Sequence, residues 1–166
     1  MLSEVIMAKK VSRRKSWREK LKDDRDLPRI VKSTGRMRKK WGAGTIVIPR
    51  PREVDDLMRK VRKGKVTTIN EIRAAVARKH GATMGCPICC GIFARIAAGA
   101  ASEDASDGKK RITPYWRTLK AGGVVNSKYP GGADLLARRL RSEGLKVVRK
   151  GKDYRVLDYE RHLAKL

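Results

Sequence analysis

Apolar residues recur along this chain at two spacings, and each spacing marks a kind of element. After Pro51, the residues Val54, Leu57, Met58 and Val61 repeat at helical intervals as far as Arg62, and Gly64 closes the run. Proline suits a first helical turn and glycine a stop, so a helix is expected here. Just before it, Thr45-Ile46-Val47-Ile48 is a short β-branched run between a Gly-Ala-Gly turn and Pro49, and it reads as a strand. Ile72, Ala75 and Val76 predict a second helix from about Thr68 to Lys79, broken at His80-Gly81. Pro87 then opens a third helix, rich in small residues to Ala98, placed as the second member of a helix-turn-helix.

The C-terminal third obeys the same logic. Ala133 to Ser142 sets Leu135, Leu136 and Leu140 on one helical face, and Gly144 ends it. Lys146 to Arg149 and Tyr154 to Leu157 alternate across Lys150-Gly151-Lys152-Asp153, which predicts a β-hairpin with a basic tip. Asp158 would cap a last short helix running to Leu166. Ser102 to Lys110 has no apolar stripe and reads as an exposed acidic loop turned away from any polyanion. Arg111 to Gly132 cannot be a long helix, because Pro114 extends Thr113 and the glycine pairs and Pro130 interrupt the rest of the segment. It is expected to be a structured loop.

Together these elements predict an α+β, winged-helix domain over residues 41–166, preceded by a basic and partly ordered N-terminal arm over 1–40. The arm's lysines and arginines cluster at Lys9-Lys10, Arg13-Arg14-Lys15 and Arg36 to Lys40. Trp17, Leu21, Leu27 and Ile30 can pin part of it, with a short helix near Ser16 to Lys22. The arm reads equally well as a strip lying along phosphates or as a solubilising tail.

Composition narrows the partner. A formal charge of +25 on 166 residues, with a pI near 10.7, calls for an anionic partner, nucleic acid first. No apolar run approaches the ~20 residues that span a bilayer and no secretory signal is apparent, so a cytoplasmic, nucleoid-associated protein is expected. Three cysteines at 86, 89 and 90 are odd in number and too close together for a disulfide framework. Cys86-Pro-Ile-Cys89 has a zinc-knuckle spacing but lacks a second knuckle, and His80 and His162 have no evident reason to converge with it. No metal and no cofactor are expected.

The chemistry concentrates in Pro114-Tyr115-Trp116-Arg117. Two flat apolar rings, a phenol and a guanidinium side by side suit a nucleobase, although core aromatics are the commoner fate of such residues. Arg117 can instead turn inward and pair with Glu143 as scaffold. This segment, the later Gly122-Gly123, the turn Tyr129-Pro130-Gly131-Gly132 and the helix ending Arg141-Ser142-Glu143-Gly144 together resemble the active-site region of the O6-alkylguanine-DNA alkyltransferases. In that family the pattern is Pro-Cys-His-Arg, then Tyr-Ser-Gly-Gly, then a helix ending Glu-Gly-His. Tyr115 stands where the alkyl-accepting cysteine belongs, and Trp116 where the histidine base belongs.

A phenol with a pKa near 10 and an indole cannot replace a thiolate and its base. The resemblance is therefore closest to the alkyltransferase-like proteins, which bind alkylated guanine without repairing it. It implies a non-enzymatic, monomeric binder of double-stranded DNA, alkylated or not, working with other repair proteins. The base pocket would comprise Pro114, Tyr115, Trp116, Arg117 and Tyr129. DNA contacts would come from Thr67, Thr68, Arg78, Lys79, Cys89, Arg95, Lys150 and Lys152. Ile69 stands where the family has a phosphate-abutting tyrosine, and Cys89 where it has an arginine finger. The alternative is an architectural or regulatory DNA- or RNA-binding protein that keeps the fold without lesion recognition.

Overall fold

The computed structural model describes residues 12–166, so the first cluster of the arm, Lys9-Lys10, lies outside the described residues. In chain order the elements are α1 (Trp17–Lys22), β1 (Arg29–Lys32), α2 (Gly35–Trp41), β2 (Thr45–Ile48), α3 (Pro51–Arg59), β3 (Thr67–Thr68) and α4 (Ile69–His80). Next come β4 (Met84–Gly85), α5 (Pro87–Ser106), β5 (Thr118–Leu119), α6 (Gly132–Ser142), β6 (Val147–Lys150) and β7 (Asp153–Val156). Short 3-10 turns form at Tyr115–Arg117, Ala121–Gly123 and Tyr159–His162. The class is α+β, with small sheets arranged around helices.

Helix α5 is the centre. Its buried face is almost all alanine, with Ala94, Ala97, Ala98 and Ala101 in one core with Val54 and Met58 of α3, Ile72 and Val76 of α4, and Leu136 and Leu140 of α6. Small side chains let neighbouring helices approach closely, so a domain this size can build its core around one axis. The sheet β1-β2-β4 sits beside the start of α5. β1 runs antiparallel to β2, pairing Arg29 with Ile48 and Lys32 with Thr45, and β2 runs parallel to β4. Gly85 is required in β4, because a Cβ there would stand 2.7 Å from the carbonyl oxygen of Arg73 in α4.

The remaining sheets tie down the C-terminal half. β3 pairs in parallel with β5, bringing Thr67 opposite Thr118, and β6 and β7 form the expected hairpin with Val147 opposite Val156. The Val125 amide donates to the carbonyl of Tyr154, fixing the hairpin to the loop before α6.

Three expectations are corrected. The acidic stretch from Ser102 is helical to Ser106, not an exposed loop. Its acids face α1, where the Glu103 carboxylate accepts the Trp17 and Arg18 amides at 2.9 and 3.1 Å, and Asp107 meets the Arg18 guanidinium at 2.6 Å. A carboxylate at a helix N-terminus satisfies free amides and the positive end of the dipole, so these acids hold the helix against α1 instead of breaking it. Helix α3 stops at Arg59, short of Arg62, because the carbonyl of Val61 turns to accept Arg117 Nη1 at 2.7 Å. The last helix is only the turn Tyr159–His162, since Val66 pairs with the residues beyond it through bonds to the His162 carbonyl and the Ala164 amide.

The short helix near Ser16 is present and capped. Ser16 Oγ accepts the Glu19 amide at 3.1 Å while the Glu19 carboxylate accepts the Ser16 amide at 2.6 Å. A boundary at Trp41 would cut between β1 and β2, which are paired strands of one sheet.

Candidate nucleic-acid interface

The Pro114–Arg117 segment is positioned by two buried polar clusters. Thr113 Oγ1 donates to Asp55 Oδ1 at 2.5 Å, and the other oxygen of that carboxylate accepts Arg59 Nε at 3.0 Å, so the segment's start is fixed to α3. At its other end Arg117 lies inside and clamps Glu143. Nε reaches Oε2 at 2.9 Å and Nη2 reaches Oε1 at 2.7 Å. Trp116 Nε1 donates to the same carboxylate at 3.0 Å, and the Gly64 amide at 3.3 Å. Burial alone would raise the Glu143 carboxyl, but these donors outweigh it and hold it below its usual range. The pair is the scaffold that the sequence suggested.

Tyr115 is 4% exposed. Its ring meets Trp116 and Tyr129 edge to face at centroid distances of 5.5 and 6.1 Å, and its hydroxyl donates to the Pro130 carbonyl at 3.2 Å. Burial pushes this phenol up, against a smaller downward pull from Arg139, so it stays a neutral hydrogen-bond donor near neutral pH. Tyr129 is likewise buried and pushed up. Trp116 is half-buried, with the Arg139 guanidinium 4.4 Å from its ring centroid and that of Arg117 at 5.4 Å. Four surface cavities of about 650, 430, 140 and 320 Å³ are lined by other residues, not by Pro114, Tyr115, Trp116, Arg117 or Tyr129.

The cysteines are structural. The Cys89 amide donates to Cys86 Sγ at 3.3 Å, so the Cys86 sulfur caps the start of α5. Burial pushes the Cys89 thiol up to about 12, helped by its contact with Cys86, and burial pushes Cys90 to about 12 as well. A thiol so far from ionisation is a poor nucleophile. Among the described residues no group of three or more potential ligands converges to hold a metal ion.

The expected DNA-facing residues separate into three groups. Thr67 and Thr68 are buried, and the Thr68 hydroxyl accepts the Glu71 amide as the cap of α4, so their side chains do not form an outer surface. Lys79 is exposed but meets Glu53 at 2.8 Å, and Arg78 reaches the Leu166 carbonyl at 3.2 Å. Arg95, Lys150 and Lys152 are exposed, Arg95 lying within 6.0 Å of the Trp17 ring. Cys89 is half-buried, whereas its neighbour Ile88 and, one turn on, Ile92 project outward at 56% and 52% exposure. The sequence reading did not single out these two isoleucines or Arg139. The available signal was the 88, 92, 95 spacing along one helical face.

With this geometry in view, the class of fold can be placed among solved proteins. No family model and no curated protein matches the chain. Two solved structures do match, each covering 70% of this chain and 94% of the other. One is Schizosaccharomyces pombe Atl1 in complex with damaged DNA containing O6-carboxymethylguanine, with a TM-score of 0.50 and 19% identity. The other is the S. pombe ATL protein in complex with DNA, with a TM-score of 0.51 and 20% identity. At these identities the likeness establishes a shared fold.

Proposed function

We propose that this chain is a non-enzymatic DNA-binding protein of the alkyltransferase-like kind. Helices α4 and α5 serve as its helix-turn-helix, the β6–β7 hairpin as its wing, and alkylated guanine as its preferred target. The observation that carries the non-enzymatic reading is Tyr115: a neutral phenol occupies the place where the resemblance puts a reactive sulfur, and the nearby thiols are held protonated. The +25 charge and a fold shared with proteins solved on DNA support duplex DNA as the partner. Lesion recognition requires the Tyr115–Pro130 contact to open so that the phenol can donate to the edge of an extruded base.

The closed state of Tyr115 favours a second reading, an architectural DNA-binding protein that keeps the fold and lacks a base pocket. Affinity for duplexes with and without one O6-alkylguanine separates the two. A preference for the alkylated duplex supports the first, equal binding leaves only the second, and no duplex binding removes both. Mass spectrometry after incubation with the alkylated duplex is expected to find Cys86, Cys89 and Cys90 unmodified.

A further inference from the structure

We infer that Ile88 and Ile92 form an apolar wedge that enters a base step of duplex DNA from the minor groove. This rests on the DNA-binding reading above and goes beyond it, because it names the side chains that would unstack the bases.

The starting point is an exposure that burial energetics disfavours. In a chain carrying +25, the first two turns of α5 present Ile88 and Ile92 to solvent at more than half exposure. They are one helical turn apart and project side by side. Gly91, between them, has open space around it, with nothing within 4 Å of where a Cβ would stand. Fully burying an isoleucine is worth about 1.5–3 kcal/mol, so two left in water mark a surface made to be covered.

The chemistry selects the occupant. The ridge of Ile88, Gly91 and Ile92 offers no side-chain donor or acceptor, so it cannot read the hydrogen-bond pattern of the major groove. Apolar bulk acts on DNA by prising a base step apart from the minor-groove side and kinking the duplex. The rim is cationic. Arg95 is the next exposed residue on the same face, and exposed Arg29 of β1 lies near enough to Cys89 to favour its thiolate form. Pro87 to Ala98 contains no acidic residue at all. A protein partner or a second copy with an apolar face would gain nothing from that rim, whereas phosphates flanking a wedged step would.

The test uses the full chain, a duplex carrying 2-aminopurine, and the same duplex end-labelled for energy transfer. The wild-type protein is expected to raise 2-aminopurine emission and shorten the end-to-end distance. I88A/I92A is expected to abolish both signals and to lose roughly tenfold to hundredfold in affinity, with an unchanged slope of affinity against salt. Alanine is the better helix former and both sites are exposed, so the variant should fold, which circular dichroism checks. Wild-type protein that binds the duplex without either signal overturns the wedge and leaves the DNA-binding reading standing. So does an I88A/I92A variant that unstacks and bends as the wild type does. A wild-type dimer in sedimentation that I88A/I92A converts to monomer, with DNA bending unchanged, assigns the face to a second copy and also overturns it. Failure to bind any duplex removes the wedge together with the reading beneath it.

Discussion

The ring of Trp17 fills the space that a side chain at position 99 would occupy: a Cβ on Gly99 would lie 2.4 Å from two of its ring atoms. One glycine in the middle of a 20-residue helix is thereby explained by a residue 82 positions earlier. Gly99 costs α5 roughly 1 kcal/mol of helix propensity relative to alanine, which the seating of α1 must offset.

Gly99→Ala should therefore destabilise the protein despite its better helix propensity. Overpacking of this kind costs about 1–3 kcal/mol. Hydrogen exchange checks the location, since the amides of Trp17 and Arg18, bonded to Glu103, should exchange faster in the variant. Unchanged protection there would show that α1 does not depend on this contact.

Glu143→Gln leaves the Arg117 guanidinium buried without its counter-charge. Breaking a buried pair by removing one partner costs about 3–5 kcal/mol, and urea denaturation at pH 7 should show a loss of that order. The pH dependence has a fixed sign. Because the folded-state pKa of Glu143 is depressed, its stabilisation is complete above the unfolded value of about 4.3 and is lost as pH falls through the lower folded value. The variant should lose that part of the acid dependence.

Thr118 Oγ1 is buried with no hydrogen-bond partner among the described residues. Thr118→Val keeps the shape and removes the unsatisfied hydroxyl, so it should be neutral or stabilising by up to about 1 kcal/mol. A clear loss of stability in thermal unfolding would mean that this hydroxyl is in fact paired.

Lys150 and Lys152 sit exposed at the tip of the β6–β7 hairpin. If they grip phosphates, Lys150→Gln and Lys152→Gln should each lower the slope of log affinity against log salt by about 0.9, with similar losses on every duplex sequence. An unchanged slope would take the hairpin off the DNA.

Much of the fold was legible because it is locally periodic. The strand Thr45–Ile48 has the expected bounds, and α4, α6 and the hairpin fall within about a residue of theirs. What escaped was decided by contacts distant in sequence. The acids of α5 look like a loop until α1 is laid against them, and α3 is shortened by Arg117, which lies 56 residues beyond Val61. The site was legible as a pattern but not as a surface. The Arg117–Glu143 clamp could be anticipated from charge burial, whereas the seal over Tyr115 depends on a carbonyl 15 residues away. The start of α5 is apolar on more than one face, so periodicity could not say which isoleucines would be left outside.

The segment before Trp41 braces α5 at both extremities: α1 holds the distal half through Gly99 and Glu103, and β1, through β2 and β4, borders the first turn. What reads in sequence as a loose cationic leash is thus the cradle of the central rod. Trimming the chain to its apparent globular part would free the rod's two ends together and let its angle to any bound duplex drift.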